Sequence, residues 1–194
     1  MSPLLRSFLL LCLLLLAAGA HAQHAVRSAP VLLVASPALQ DPNFSQSVVL
    51  VLFPEGGGAT GVILNRPTPL AWREAFPDEP ALRARSDTIY FGGPVRMQAL
   101  WYLVRQADAR ANALPVVDDL YLSADGNLLD ELLAAQRRVE RFFVGYSGWA
   151  PTQLEFEIAQ GAWHVLPVDL HSILNLDPQT MWRELLARAT AVQT

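Results

Sequence analysis

Residues 47 to 53 read Ser-Val-Val-Leu-Val-Leu-Phe, and past Ser47 no position carries a polar side chain. A strand points successive side chains to opposite faces, so a run that is apolar throughout has no face to offer water. It must be covered on both sides. Val31 to Val34 and Gly61 to Leu64 have the same character. Chains of this kind need a sheet with further layers packed against it.

The rest of the sequence supplies those layers. Pro54-Glu55-Gly56-Gly57-Gly58 is a turn between the second and third runs, close enough for a hairpin. Further strands are expected at Thr88 to Phe91, Leu100 to Arg105, Val139 to Tyr146 and Trp163 to Leu166. Thr68-Pro69 has the form of a cap and first-turn proline for a helix over Leu70 to Phe76. Ser123 is placed to cap a helix burying Leu128, Leu129, Leu132 and Leu133. Ser147-Gly148 reads as a turn before a helix opened by Pro151 and ended at Gly161. A last helix should run from Asp177-Pro178 to about Ala189, burying Met181, Leu185 and Trp182. Asp108 to Ala113 reads as a surface loop. Strands and helices interleave, with no repeat and no internal linker, so one domain is expected, with a mixed sheet packed by helices.

The first 30 residues stand apart. Arg6 is the only charge among residues 1 to 20, Phe8 to Ala20 is almost wholly apolar, and Ala20-His21-Ala22 is a small-x-small site. As a helix, about 13 apolar residues rise roughly 20 Å, short of the ~30 Å hydrocarbon core. Residues 1–22 therefore read as a cleaved signal peptide, 23–30 as a flexible lead-in, and 31–190 as the folded domain. The expected location is the periplasm or the exterior, without a membrane span after cleavage; the alternatives are an uncleaved anchor and a cytoplasmic location.

Cleavage leaves 172 of the 194 residues, and the loss of Arg6 leaves 13 arginines against 18 acids, a net charge of −5. There is no lysine. An acidic chain without basic runs is poorly suited to nucleic acid, which is bound through concentrated positive charge. Its densest basic stretch, Arg137-Arg138-Val139-Glu140-Arg141, reads as the solvated start of a strand. The only thiol, Cys12, lies in the leader. The mature domain thus has no disulfide, no thiolate nucleophile and no cysteine ligand for a metal.

Four stretches, "SPALQDPNFSQSVVLV" (36–51), "GATGVILNRP" (58–67), "FGGPV" (91–95) and "GYSGWAPTQLEFEIAQGAWHVLPVD" (145–169), together resemble the AlgH/YqgE family of bacterial proteins, also called UPF0301. The resemblance spans roughly Val31 to Ala189. It implies an α/β (α+β) single domain with a bent mixed β-sheet packed by helices. It carries no agreed enzymatic activity and no cofactor, only a transcriptional-regulator label linked to alginate control. The chain departs from the family twice. Members generally look cytosolic, whereas this chain begins with an export signal. Many have a Cys-Glu-His-Asn-like stretch where this one reads Phe53-Pro54-Glu55-Gly56.

The four stretches end at strand termini, where clefts open in α/β sheets. Ser36, Asp41, Asn65, Arg66, Gly92, Gly93, Tyr146, Gly148 and Trp149 are the candidate cleft residues. Glycine amides at 92, 93 and 148 would face an anion at close range, and Arg66 would clasp it bidentately. The competing reading is a polar scaffold, with Arg66 bridging to Asp41, Asp41 closing the turn at Asn43-Phe44, and Asn65 closing another. Expected partners are a small anion or an envelope protein.

Four further patterns carry less. Ser147 lacks the glycine two places on that a nucleophile elbow needs. His164, Asp169 and His171 have a loose metal-like spacing, but the resemblance marks Trp163 and Asp169 rather than the histidines, and no metal is expected. Glu155 and Glu157 read as acids in the first turns of a helix, favoured by its dipole. Trp149, Trp163 and Trp182 read as core. Three functions follow: an exported non-enzymatic binding or accessory protein; an enzyme of hydrolytic or phosphate-directed type using Asp41, Asn65 and Arg66; and a DNA-binding regulator, which charge and export oppose.

Overall fold

The computed structural model describes residues 29–106 and 112–191. The predicted signal peptide and most of the predicted loop at 108–113 lie outside them. Nine described strands form one curled sheet: β1 (Val31–Ala35), β2 (Val48–Leu52), β3 (Ala59–Ile63), β4 (Ile89–Phe91), β5 (Val95–Arg105), β6 (Ala113–Val117), β7 (Leu120–Ser123), β8 (Val139–Trp149) and β9 (Trp163–Pro167). Six described helices pack on it: α1 (Trp72–Ala75), α2 (Pro80–Arg83), α3 (Gly126–Ala134), α4 (Gln153–Ala159), α5 (Leu170–Leu174) and α6 (Met181–Ala191).

The spatial order is β6-β7-β5-β8-β3-β2-β1-β9, antiparallel except that β4 lies parallel on β8. The sheet is therefore mixed by virtue of one strand. β8 is its spine. Residues 139–146 pair with β5, residues 142–144 with β4, and residues 147–149 with β3. The resulting half-barrel has a concave face where Leu32, Leu50 and Val62 meet Leu103, Leu122 and Phe143, closed by Met181 and Leu185 of α6. Convex faces are covered separately. Leu33, Val49 and Val51 pack with Trp149, Trp163 and Leu154 of α4, and Tyr102, Val104 and Phe142 pack with Trp72, Leu82, Leu128 and Leu129.

Every residue of β1 and β2 is buried, as their unbroken apolarity requires. At about 1.5–3 kcal/mol for each large side chain fully withdrawn from water, these strands supply stabilisation that a cysteine-free domain cannot draw from disulfides.

Several local expectations are corrected. Ser147 and Gly148 do not turn the chain; they continue β8 in register with Gly61 and Thr60. Their pairing with β3 is non-local and overrides the local turn signal. Asp125, not Ser123, caps α3, accepting from Leu128 N at 3.1 Å, while the Ser123 hydroxyl accepts from Asp125 N. Thr68 caps nothing: α1 begins after Ala71, and the Thr68 hydroxyl donates to Ile89 O. β6 is not among the expected strands; it carries Pro115 and lies at the sheet edge, where the missing N–H is harmless. The short helices α2 and α5 lack the length to show periodicity. Arg141 is buried rather than solvated, at 8% exposure.

Candidate functional site

The strand end that halts at Asn65-Arg66-Pro67 is a clamp. β3 can no longer pair with β2 beyond Leu64, whose N–H donates to Val48 O. The Asn65 side chain takes over: its Oδ1 accepts from Val48 N and its Nδ2 donates to Gln46 O, both at 2.9 Å. The side-chain amide thus mimics a peptide group. Arg66 extends the clamp, donating from Nη1 to Pro42 O at 3.2 Å and from Nη2 to Ser45 O at 2.9 Å. Burial lowers the Arg66 pKa, and the nearby Asp41 charge opposes the shift. No Arg66–Asp41 ion pair forms within contact distance among the described residues; Asp41 instead accepts from Asn43 N at 2.7 Å, closing the turn. The loop 41–47 is held by side chains from a strand about 20 residues away.

The glycines are a backbone crossing. A side chain on Gly92 would strike Gly145 O, and one on Gly93 would strike Ser147 Oγ and the Tyr146 backbone. Gly92 N–H donates to Val144 O at 2.9 Å, and Gly92 O accepts from Ile63 N and from Ser147 Oγ. The Ser147 hydroxyl is fully buried in that bond. Phe91 N donates to Arg66 O at 2.9 Å, which joins the crossing to the clamp. Phe44, carried on the clamped loop, packs against Trp149 at 6.1 Å and Trp163 at 5.7 Å between ring centroids. Corners far apart in sequence therefore do meet.

They meet as a packed hub, with cavities on its flanks. Ser36 lines one cavity of about 350 Å³ with Pro37, Leu39, Gln40, Ser45, Gln46 and Trp182. Tyr146, Gly148 and Trp149 line a different, shallow one of about 550 Å³, beside Pro54, Thr60 and Trp101. Asp41, Asn65, Arg66, Gly92 and Gly93 line neither; they hold the walls in place.

Glu157 is not the dipole-facing acid that its place in the helix predicts. It points inward, and its Oε2 accepts both the Trp149 and Trp163 indole N–H groups at 2.9 Å, while Oε1 accepts from Gln153 Nε2. Only the fold brings indoles eight and six residues away onto one carboxylate. Asp169 caps α5 through Ser172 and pairs with Arg188 at 3.2 Å. Burial works to raise its pKa, but the Ser172 bonds and the Arg188 charge outweigh that and hold it below the usual carboxylate value. Among the described residues no three His, Cys, Asp or Glu side chains cluster as metal ligands. No described helix is long and apolar enough to cross a membrane.

A family model described as AlgH-like matches residues 32–192. The chain belongs to the AlgH-like family. A UPF0301 protein of Streptomyces coelicolor is 38% identical over 162 residues, covering 81% of this chain and 84% of the relative. One from Myxococcus xanthus is 36% identical over 157 residues, covering 79% and 86%. The solution structure of the Pseudomonas aeruginosa AlgH protein superposes with a TM-score of 0.65 at 28% identity, covering 82% of this chain and 86% of that one. The crystal structure of a Corynebacterium diphtheriae protein, at 24% identity and TM-score 0.64, shares the fold. The clamp and the glycine crossing fall within the stretch that the AlgH-like model matches.

Proposed function

We propose that this AlgH-like protein is a non-catalytic binding or accessory protein that works after export, in the periplasm or outside the cell. The observation that carries the binding reading is the clamp. Asn65 and Arg66 fix the loop 41–47 from behind, and a loop ordered in advance loses less entropy when it captures a ligand. Export rests on the leader pattern, Arg6 followed by Phe8 to Ala20 and Ala20-His21-Ala22. The hydrolytic alternative has less support. Asp41 and Arg66 are engaged with backbone groups, and Ser147 is buried in a bond to Gly92 O.

Fractionation of a C-terminally tagged chain, with N-terminal sequencing, tests the reading. Recovery outside the cytoplasm with Gln23 as first residue is expected. Recovery in the cytosol with Met1 intact would overturn the exported role, and turnover of generic phosphate or carboxylic esters that Arg66→Ala abolishes would overturn the non-catalytic one.

A further inference from the structure

The two edges of the sheet are built differently. At one, β6 carries Pro115 in mid-strand and breaks register with β7 between Pro115 and Val117. Proline and bulges are devices that stop an edge from recruiting another strand. At the other, β9 runs in unbroken register along β1, carries no Asp, Glu or Arg, and meets proline only at its last residue, Pro167. The direction of its backbone groups follows from the ladder. Ser36 N donates to Ala162 O, so Ala162, and by alternation His164 and Leu166, bond toward β1. The N–H and C=O of Trp163 and Val165, and the Pro167 carbonyl, therefore point away from β1, where no described strand lies. Ala35, opposite Trp163, obeys the same alternation by donating to Ser47 O on its other side. Apolar surface lies beside this edge. Val165 is 38% exposed, and α4, on the convex face that Val165 shares with Trp163, carries Phe156 at 66%.

We infer that β9 is the contact surface for a second copy of this chain, the two β9 strands pairing antiparallel across a two-fold axis at Val165. The outward-pointing set is self-complementary about that residue, as a two-fold contact requires. Val165 exchanges both backbone hydrogen bonds with Val165 of the partner subunit. Trp163 falls opposite Pro167 of the partner subunit, and its N–H meets that carbonyl, so the proline costs only the return bond. The match of Trp163 to Pro167 favours a second copy over an unrelated extended peptide. Along the paired strands no like charges meet, because β9 carries neither carboxylate nor guanidinium. The axis stands normal to the sheet, so both convex faces look the same way and each exposed Val165 is covered by the other.

The test is sedimentation equilibrium of protein purified from a host expressing the full chain, joined to amide hydrogen exchange. A reversible dimer is expected at roughly 10–500 μM, because a single-strand contact is a small interface. The Val165 amide should be protected at high concentration and exchange freely on dilution. Val165→Pro removes the N–H at the axis and should weaken association at least about tenfold. Val165→Lys sets like charges across the axis and should weaken it comparably. An unchanged Tm for the lysine variant separates loss of the dimer from loss of the fold. A chain that stays monomeric up to about 1 mM would overturn the inference. So would a dimer that both variants leave intact, which would put the contact on another face. Protection of the Val165 amide in a monomer would show the edge covered from within the chain, and protection only on adding a Val-Thr repeat peptide would assign it to a peptide partner; either result sinks the self-pairing.

Discussion

Two arginines hold the same strand end by the same chemistry in opposite settings. Arg66 stands half-buried at the protein's edge and donates to the carbonyls of Pro42 and Ser45. Arg141 lies inside, donating to Leu64 O at 3.0 Å and to Leu174 O at 3.5 Å, with its guanidinium 4.7 Å from the centre of the Tyr90 ring. Neither forms an ion pair with a carboxylate among the described residues. Burial lowers the Arg141 pKa, with Tyr90 opposing, yet guanidinium remains charged in any protein. Carbonyl oxygens and a π-face therefore hold an interior cation here. The pair teaches that guanidinium serves this fold as a many-pronged backbone clip, and that the cost of losing a clip depends on whether water can replace it.

That comparison can be broken by substitution. Arg141→Ala should cost about 3–5 kcal/mol in urea unfolding, because two interior carbonyls lose their donor and a cavity remains. Arg141→Met refills the volume without the donors and should recover about half of this. A loss under about 1 kcal/mol for Arg141→Ala would show that the interior clip is dispensable. Arg66→Ala should cost less, about 1–2 kcal/mol, since water reaches the freed carbonyls. Its sharper signature is faster amide hydrogen exchange across residues 42–47, and an unchanged exchange pattern there would refute the clamp.

The smallest effect sharpens the contrast through a third arginine, Arg188, which does pair with a carboxylate, Asp169. The folded-state pKa of Asp169 lies below its ordinary 3.8. Its contribution is therefore full above that value and lost as pH falls through the depressed one. Asp169→Asn should lower stability at neutral pH slightly and flatten the stability curve below about pH 4. Arg66→Ala should alter that acid limb less, because its hydrogen-bond partners, the Pro42 and Ser45 carbonyls, do not titrate. Parallel acid limbs for wild type and Asp169→Asn would rule the ion pair out as a source of pH dependence.

Much of the fold is legible in the chain because burial writes itself into composition. β1 and β2 are apolar at every position, and both are covered on both faces. Gly161 ends α4 region with a left-handed φ of 74°, as a glycine terminator should. Where the reading failed, a distant partner had overridden a local signal. Ser147-Gly148 has turn chemistry, yet pairing with Gly61 and Thr60 keeps it extended. Pro115 argues against a strand, yet an edge position tolerates it.

The candidate site divides in the same way. Local sequence marked Ser36, Asn65, Arg66, Gly92 and Gly93 as residues that matter, and four of them belong to one hub of clamp and crossing. What each side chain faces was decided elsewhere: Glu157 toward two indoles, Trp182 into the Ser36 cavity, Arg141 under Leu64. The sequence by itself determined that residues 31–190 carry no cysteine, and with that the family and most of the strands, because periodicity and composition are properties of neighbours along the chain. Only the tertiary structure decided which polar groups are engaged and which stay free, because hydrogen-bond partners are chosen in space, across separations as long as the 147 residues from Trp182 to Ala35.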